Sequence, residues 1–389
     1  MTIRKMFSAA TVTLALSMSA VFNSHAGLIA SGGNETLSWT ARSLITGAAP
    51  GGTASPAAGL AGNAIYHPTY PAYSGVVGML MDYGNGNRFV CSGTLLNDRR
   101  SILTAAHCVS DGAGTANPLS TTIFFQPDGG LAPDARIYGV QPDVVSIAVT
   151  DYFVNENYTG EVIDQNDVAV LRLAEKAPVW AISHDIYTGN DLTGQNFNVA
   201  GYGLMGTGNG SFSGTTGYLR EGDNKYDYAW GNDLFQGFFT NINGGENFFG
   251  TADIEFSYIS DFDNGLLIND AAGRIARALG LGDLGGVFDD TGLGDREVGV
   301  AGGDSGGPNF INGLISGINS YGLSFGTGFG DIGGGLNSSF GEFSGFVPTY
   351  IHANFISGAL VRVSEPGILI LMSLGLFSIG ASARRRKAH

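Results

Sequence analysis

Apolar positions along this chain come in short runs separated by glycine, asparagine and proline, the pattern of a strand-rich protein. Val76 to Met81 and Arg88 to Leu95 flank Gly84-Asn85-Gly86-Asn87, whose turn chemistry predicts a β-hairpin. The runs Ile123 to Phe125, Val144 to Val149, Val168 to Leu173 and Gly313 to Asn319 predict further strands with loops between them. One stretch has another period. Asn269 to Leu281 sets Ala272, Ile275, Ala276 and Leu279 at helical spacing, with Asn269 or Asp270 as cap and Gly280 near the end, and predicts a short surface helix.

Two longer apolar runs sit near the ends. Met6 to Phe22 follows Arg4 and Lys5 and leads to Ser24-His25-Ala26, so residues 1–26 read as a secretory signal peptide, with a retained anchor as the competing reading. Gly367 to Ala383 is followed by Arg384-Arg385-Arg386-Lys387 and reads as a transmembrane segment, 367–383, whose basic end stays cytoplasmic. Residues 27–64, rich in Gly, Ala, Ser and Pro, read as a propeptide or loose N-terminal arm.

Composition sharpens this picture. The 62 glycines lack a three-residue period and point to loops and turns. Acidic residues outnumber basic ones 34 to 19, and the formal charge of −15 excludes nucleic acid and anionic membrane surfaces as natural partners. Cys91 and Cys108 are the only cysteines, and in an exported chain they are expected to form one disulfide across the His107 segment; a pair of free thiols is the alternative. The histidines are too scattered for a zinc site, and no cofactor or metal is implied. Asp261, Asp263, Asp283, Asp289, Asp290 and Asp295 could gather around calcium or form a solvated acidic loop.

The candidate chemistry lies in three segments. Ala301-Gly-Gly-Asp-Ser-Gly-Gly-Pro308 places the hydroxyl of Ser305 among residues that can turn backbone N–H groups toward a substrate. A serine needs a base, and Leu103-Thr-Ala-Ala-His107-Cys108 offers His107. A carboxylate that orients the base is available at Asp167, opening Asp167-Val-Ala-Val-Leu-Arg-Leu173, with Asp164 as its rival.

Together, in the order His, Asp, Ser, these segments resemble the trypsin-like (chymotrypsin-fold) serine endopeptidases over roughly residues 65–360. The resemblance implies an all-β fold of two packed six-stranded antiparallel β-barrels with a C-terminal helix, here with Gly-rich insertions, mostly between Gly206 and Glu297. It implies a triad of His107, Asp167 and Ser305, an oxyanion hole from the N–H groups of Gly303 and Ser305, and a protein or peptide substrate. It also implies that cleavage before Ile65 would create an ammonium partner for Asp304, although Ala64, not Arg or Lys, stands directly before Ile65. Ser320-Tyr321-Gly322 is similar to the family's substrate-pairing strand, and Gly299 stands where true trypsins carry an aspartate. Asp331 or Glu342 could supply an acidic pocket from the following loop; exposed positions are the plainer expectation.

Val363-Ser364-Glu365-Pro366 with its apolar run and basic end resembles the PEP-CTERM sorting signal of Gram-negative bacteria. That implies processing by signal peptidase and an exosortase, with transient or permanent anchoring in the inner membrane. The competing function is an inactive protease homologue serving as a surface or matrix-binding protein.

Overall fold

The computed structural model describes residues 29–34, 36–43, 63–112, 114–127, 137–138, 143–212, 216–240, 246–281 and 288–361. The expected signal peptide and the tail with its transmembrane segment lie outside these residues. Among the described residues no helix is long and apolar enough to cross a membrane.

The chain's first described elements correct one expectation. Residues 29–34 and 36–43 are ordered rather than loose, which leaves the propeptide reading of 27–64 in place: β1 (Ile29–Gly33) and β2 (Ser38–Ser43) pair antiparallel, and Leu37, Trp39 and Ala41 are buried. Alternation explains this, since every second side chain of a strand shares a face and this face is apolar.

Six strands then close into a barrel: β3 (Val76–Asp82), β4 (Arg88–Leu95), β5 (Ser101–Thr104), β6 (Ser120–Phe125), β7 (Val145–Val154) and β8 (Ala169–Leu173), in the order β3-β4-β5-β8-β7-β6. The Gly84–Asn87 turn joins β3 to β4 as expected. Cys91 in β4 and Cys108 after β5 form the disulfide, with Cα atoms 6.3 Å apart and a sequence separation of 17. Closing a loop of that size contributes on the order of 3 kcal/mol by restricting the unfolded chain.

The second half contains β9 (Asn196–Gly201), the short hairpin β10 (Gly206–Thr207) and β11 (Ser211–Phe212), β12 (Arg220–Lys225), β13 (Tyr228–Ala229), β14 (Tyr258–Asp261), β15 (Pro308–Ile311), β16 (Leu314–Ser324) and β17 (Phe343–Pro348). Its main sheet runs β12-β9-β15-β16-β17-β14-β13, with β2 added to β16. The fold is chymotrypsin-like, a closed six-stranded barrel packed on a half-barrel sheet. The second unit is therefore more open than the six-stranded barrel expected.

Helix α1 (Ala271–Ala278) forms where the sequence spacing placed it, and the Asp270 carboxylate caps it by accepting the Gly273 N–H at 2.7 Å. It buries Ala272, Ile275 and Ala276, so only part of it is a surface helix. Helix α2 (Ala353–Val361) ends the described chain, and Arg172 of β8 donates to the Ala359 carbonyl at 2.7 Å, fastening it to the first barrel.

Candidate active site

Strand pairing builds the site. β5 and β8 are antiparallel neighbours with Thr104 opposite Ala169, so the turn leaving β5 and the loop entering β8 share one end of the barrel. That places His107, on the turn Ala106–Cys108, against Asp167. The Asp167 carboxylate accepts the His107 backbone N–H at 2.8 Å and meets the ring Nδ1 at 2.7 Å. On the other side of the ring, His107 Nε2 lies 2.8 Å from Ser305 Oγ. Asp164, the rival carboxylate, accepts the Thr159 N–H and hydroxyl and the Asn166 N–H instead; burial raises it to about 6 and it orders that turn.

Three further residues complete the arrangement: Ser92 and Asn319, which carried no signal of their own in the sequence, and Ser320, expected in the substrate-pairing strand. Ser320 donates its hydroxyl to Asp167 Oδ2 at 2.5 Å, a second bond that fixes the carboxylate. Ser92 of β4 spans both halves: its hydroxyl donates to the Gly303 carbonyl at 2.7 Å and its N–H to the Ser305 carbonyl at 2.8 Å. Asn319 donates to the Asp304 carbonyl at 3.0 Å. With three carbonyls of the nucleophile loop held from behind, the N–H groups of Gly303 and Ser305 have no acceptor among the described residues.

The residues proposed for the groove sit as follows. Tyr321 is fully buried, and its hydroxyl accepts from Trp230 Nε1 at 2.9 Å, so its side chain belongs to an aromatic core while its backbone forms a strand edge. Gly299 faces the Phe262 ring, 3.3 Å from where a Cβ would stand, and lines a cavity of about 30 Å³ beside Asp304. Asp331 and Glu342 are neither exposed nor pocket acids. Asp331 accepts from Ser324, Gly333, Gly334 and Ser339, and Glu342 from Asn337, Ser338 and Ser339, stapling the loop between β16 and β17.

Asp304 stands in the state that precedes any cleavage before Ile65. In the uncleaved chain Ile65 has an ordinary amide N–H, which donates to Asn63 Oδ1 at 3.1 Å, and its side chain is exposed. Asp304 accepts the Gly203 and Ala301 N–H groups and lines a cavity of about 30 Å³ with Tyr66, Gly299 and Arg220. Burial raises the carboxyl above its usual range, and Arg220 supplies the opposing positive field.

Of the acidic residues of the insertion, Asp283 lies outside the described residues. Asp289 pairs with Arg277, Asp290 with Lys225, and Asp270 caps α1. Among the described residues the one group of donor atoms close enough to share an ion is Cys91, His107 and Cys108, and both sulfurs are committed to the disulfide. Asp227 and Asp261 are buried beside each other, the Asp261 N–H donating to Asp227 at 2.8 Å, while Asp263 is buried with Oδ1 unpartnered. Burial pushes Asp227 and Glu297 to about 7 and Asp263 to about 10. The folded chain thus holds protons that unfolded carboxylates release near pH 4, so stability should fall as pH rises from about 5 toward 9. Asp263→Asn, an isostere of the protonated acid, is expected to flatten this slope and stabilise the fold at pH 8 by on the order of 1–2 kcal/mol. Urea melts at pH 5, 7 and 9 check it; identical slopes in both proteins would show that Asp263 is ionised in the fold.

With this geometry in place, sequence comparison supports a coarse class. Residues 69–226 match the family model described as Trypsin. The match supports a trypsin-like serine protease, a hydrolase whose fold accepts peptide substrates. Its span takes in His107 and Asp167 and ends before Ser305, whose place beside His107 comes from the structure. No curated protein matches this chain.

Proposed function

We propose that this trypsin-like chain is an exported serine endopeptidase that works through His107, Asp167 and Ser305. The observation that carries the proposal is the unbroken run of contacts from Asp167 through His107 to Ser305 Oγ. In the mechanism this supports, His107 Nε2 takes the Ser305 proton as Oγ attacks the peptide carbonyl carbon. Asp167, at Nδ1, holds the ring in the accepting tautomer and stabilises the imidazolium that forms. The negative charge passes to the carbonyl oxygen, where the N–H groups of Gly303 and Ser305 form the oxyanion hole. His107 then protonates the leaving amine, and water hydrolyses the acyl-enzyme along the same proton route. No cofactor enters these steps.

Export rests on the signal-peptide pattern of residues 1–26. The sorting-signal pattern after Val363 adds exosortase processing and anchoring by residues 367–383, which places the protein in the envelope or exterior of a Gram-negative cell. The test is intact and peptide mass spectrometry after prolonged exposure to a fluorophosphonate. One adduct at Ser305 is expected in the wild type and none in Ser305→Ala or His107→Ala, and the spectra also read both termini. A folded wild-type chain that takes no adduct would instead favour the matrix-binding homologue.

A further inference from the structure

The N-terminal hairpin rests on a particular edge of β16. β17 covers one edge of that strand from Gly317 to Leu323. β15 pairs with the other edge only as far as Ile318, because β15 begins at Pro308, just after Ser305. β2 faces Tyr321 to Ser324, with Ser43 opposite Tyr321, Arg42 opposite Gly322, Ala41 opposite Leu323 and Thr40 opposite Ser324. Since β17 also pairs with Tyr321, Gly322 and Leu323, β2 must take the opposite edge, in line with β15 and beyond Ser320. Between the two, Ser320 donates to Asp167. β2 therefore adds to the sheet as an extended peptide ligand does, antiparallel and with its chain direction leading toward the triad.

Its side chains fit a prepared face. Trp39 lies edge-on to Phe249, ring centroids 5.2 Å apart, in one apolar cluster with Trp230, Phe239 and Phe325. Trp230, Phe239 and Phe249 come from the extra length between Gly206 and Glu297, so the insertion builds the floor on which β2 rests. In this arrangement the His107 side chain is 4% exposed and Ser305 only 1%.

We propose that the edge Tyr321–Ser324 is a peptide-binding surface whose resident ligand is this chain's own strand Thr40–Ser43, and that a foreign peptide reaches Ser305 only by displacing it. The proposal rests on the endopeptidase reading for its functional meaning, but the occupancy is measurable without it. The surface accepts an extended strand with a small apolar side chain opposite Leu323 and an aromatic residue two positions earlier.

The experiment uses the full-length protein and a fluorescein-labelled synthetic peptide spanning Ile29 to Ser43. Ala41→Asp puts an unpaired carboxylate on a fully buried position of β2 and should expel the strand. Trp39→Ala removes the anchor without adding charge. By fluorescence anisotropy both variants should bind the peptide at least tenfold more tightly than the wild type, whose edge is already filled. Fluorophosphonate labelling at Ser305, run in parallel, reports the triad. Equal binding by wild type and variants, or no binding to a variant whose circular dichroism is native, would overturn the proposal. A binding difference without any adduct at Ser305 would keep the occupancy and remove the endopeptidase reading.

Discussion

Asp167→Asn is expected to lower kcat by about 10,000-fold near neutral pH and to leave KM little changed. Asp167 serves three donors at once: the His107 backbone N–H, the His107 ring at Nδ1 and the Ser320 hydroxyl. Asparagine can keep its carbonyl oxygen on the His107 backbone N–H, which turns its amide nitrogen toward Nδ1. Facing a donor, the ring must accept there and carry its proton on Nε2, where Ser305 needs an unprotonated nitrogen with its lone pair free to accept. The nucleophile then has no base although nothing has moved. Steady-state kinetics on wild type and variant check this, and a loss below tenfold would remove Asp167 from the mechanism. Asp164→Asn provides the contrast, since Asp164 makes no contact with His107 and its loss should leave the chemical step intact.

Gly306→Ala is expected to destabilise the fold by about 3 kcal/mol or more and to remove activity with it. Gly306 has φ +79°, in the left-handed region where a Cβ is disfavoured. The space is closed as well, because a Cβ there would stand 2.0 Å from Thr104 Oγ1, 2.4 Å from the Ser92 carbonyl oxygen and 2.9 Å from the Ala105 N. Two of those atoms are backbone, and no rotamer change relieves them. The clash would push the nucleophile loop away from the strand whose Ser92 holds the carbonyls of Gly303 and Ser305. Thermal unfolding and fluorophosphonate labelling measure the two effects. Gly313→Ala is the control: its φ is +79° too, but a Cβ would meet nothing within 4 Å, so strain alone should cost about 1 kcal/mol. Equal losses in the two variants would mean that backbone strain, not the approach of β4 and β5, makes Gly306 necessary.

Several features were legible from local chemistry. The Gly84–Asn87 turn, the Asp270 cap and the helical spacing after it are short-range signals, and each formed where the sequence placed it. The disulfide followed from there being only two cysteines. His107, Asp167 and Ser305 stood out because base, carboxylate and nucleophile each sit in a characteristic short segment, and the structure brings these side chains together.

Features that depend on distant segments were not legible. Nothing in the stretch around Ser320 announces a bond to Asp167, 153 residues away, nor does Arg220 read as the cation beside Asp304. Asp331 and Glu342 look like free acids in sequence, yet each is enclosed by N–H and hydroxyl donors of its own loop. The arm before Ile65 has the composition of a loose segment, and only the free edge of β16 and the aromatic floor beneath it make residues 38–43 a strand. The sequence by itself determined the reactive groups and the local turns, caps and strands, because those depend on side-chain chemistry and backbone preference within a few residues. Tertiary structure alone decided which strand fills which edge and which partner each buried charge meets, because an open edge or a buried carboxylate is satisfied by whatever the fold brings beside it.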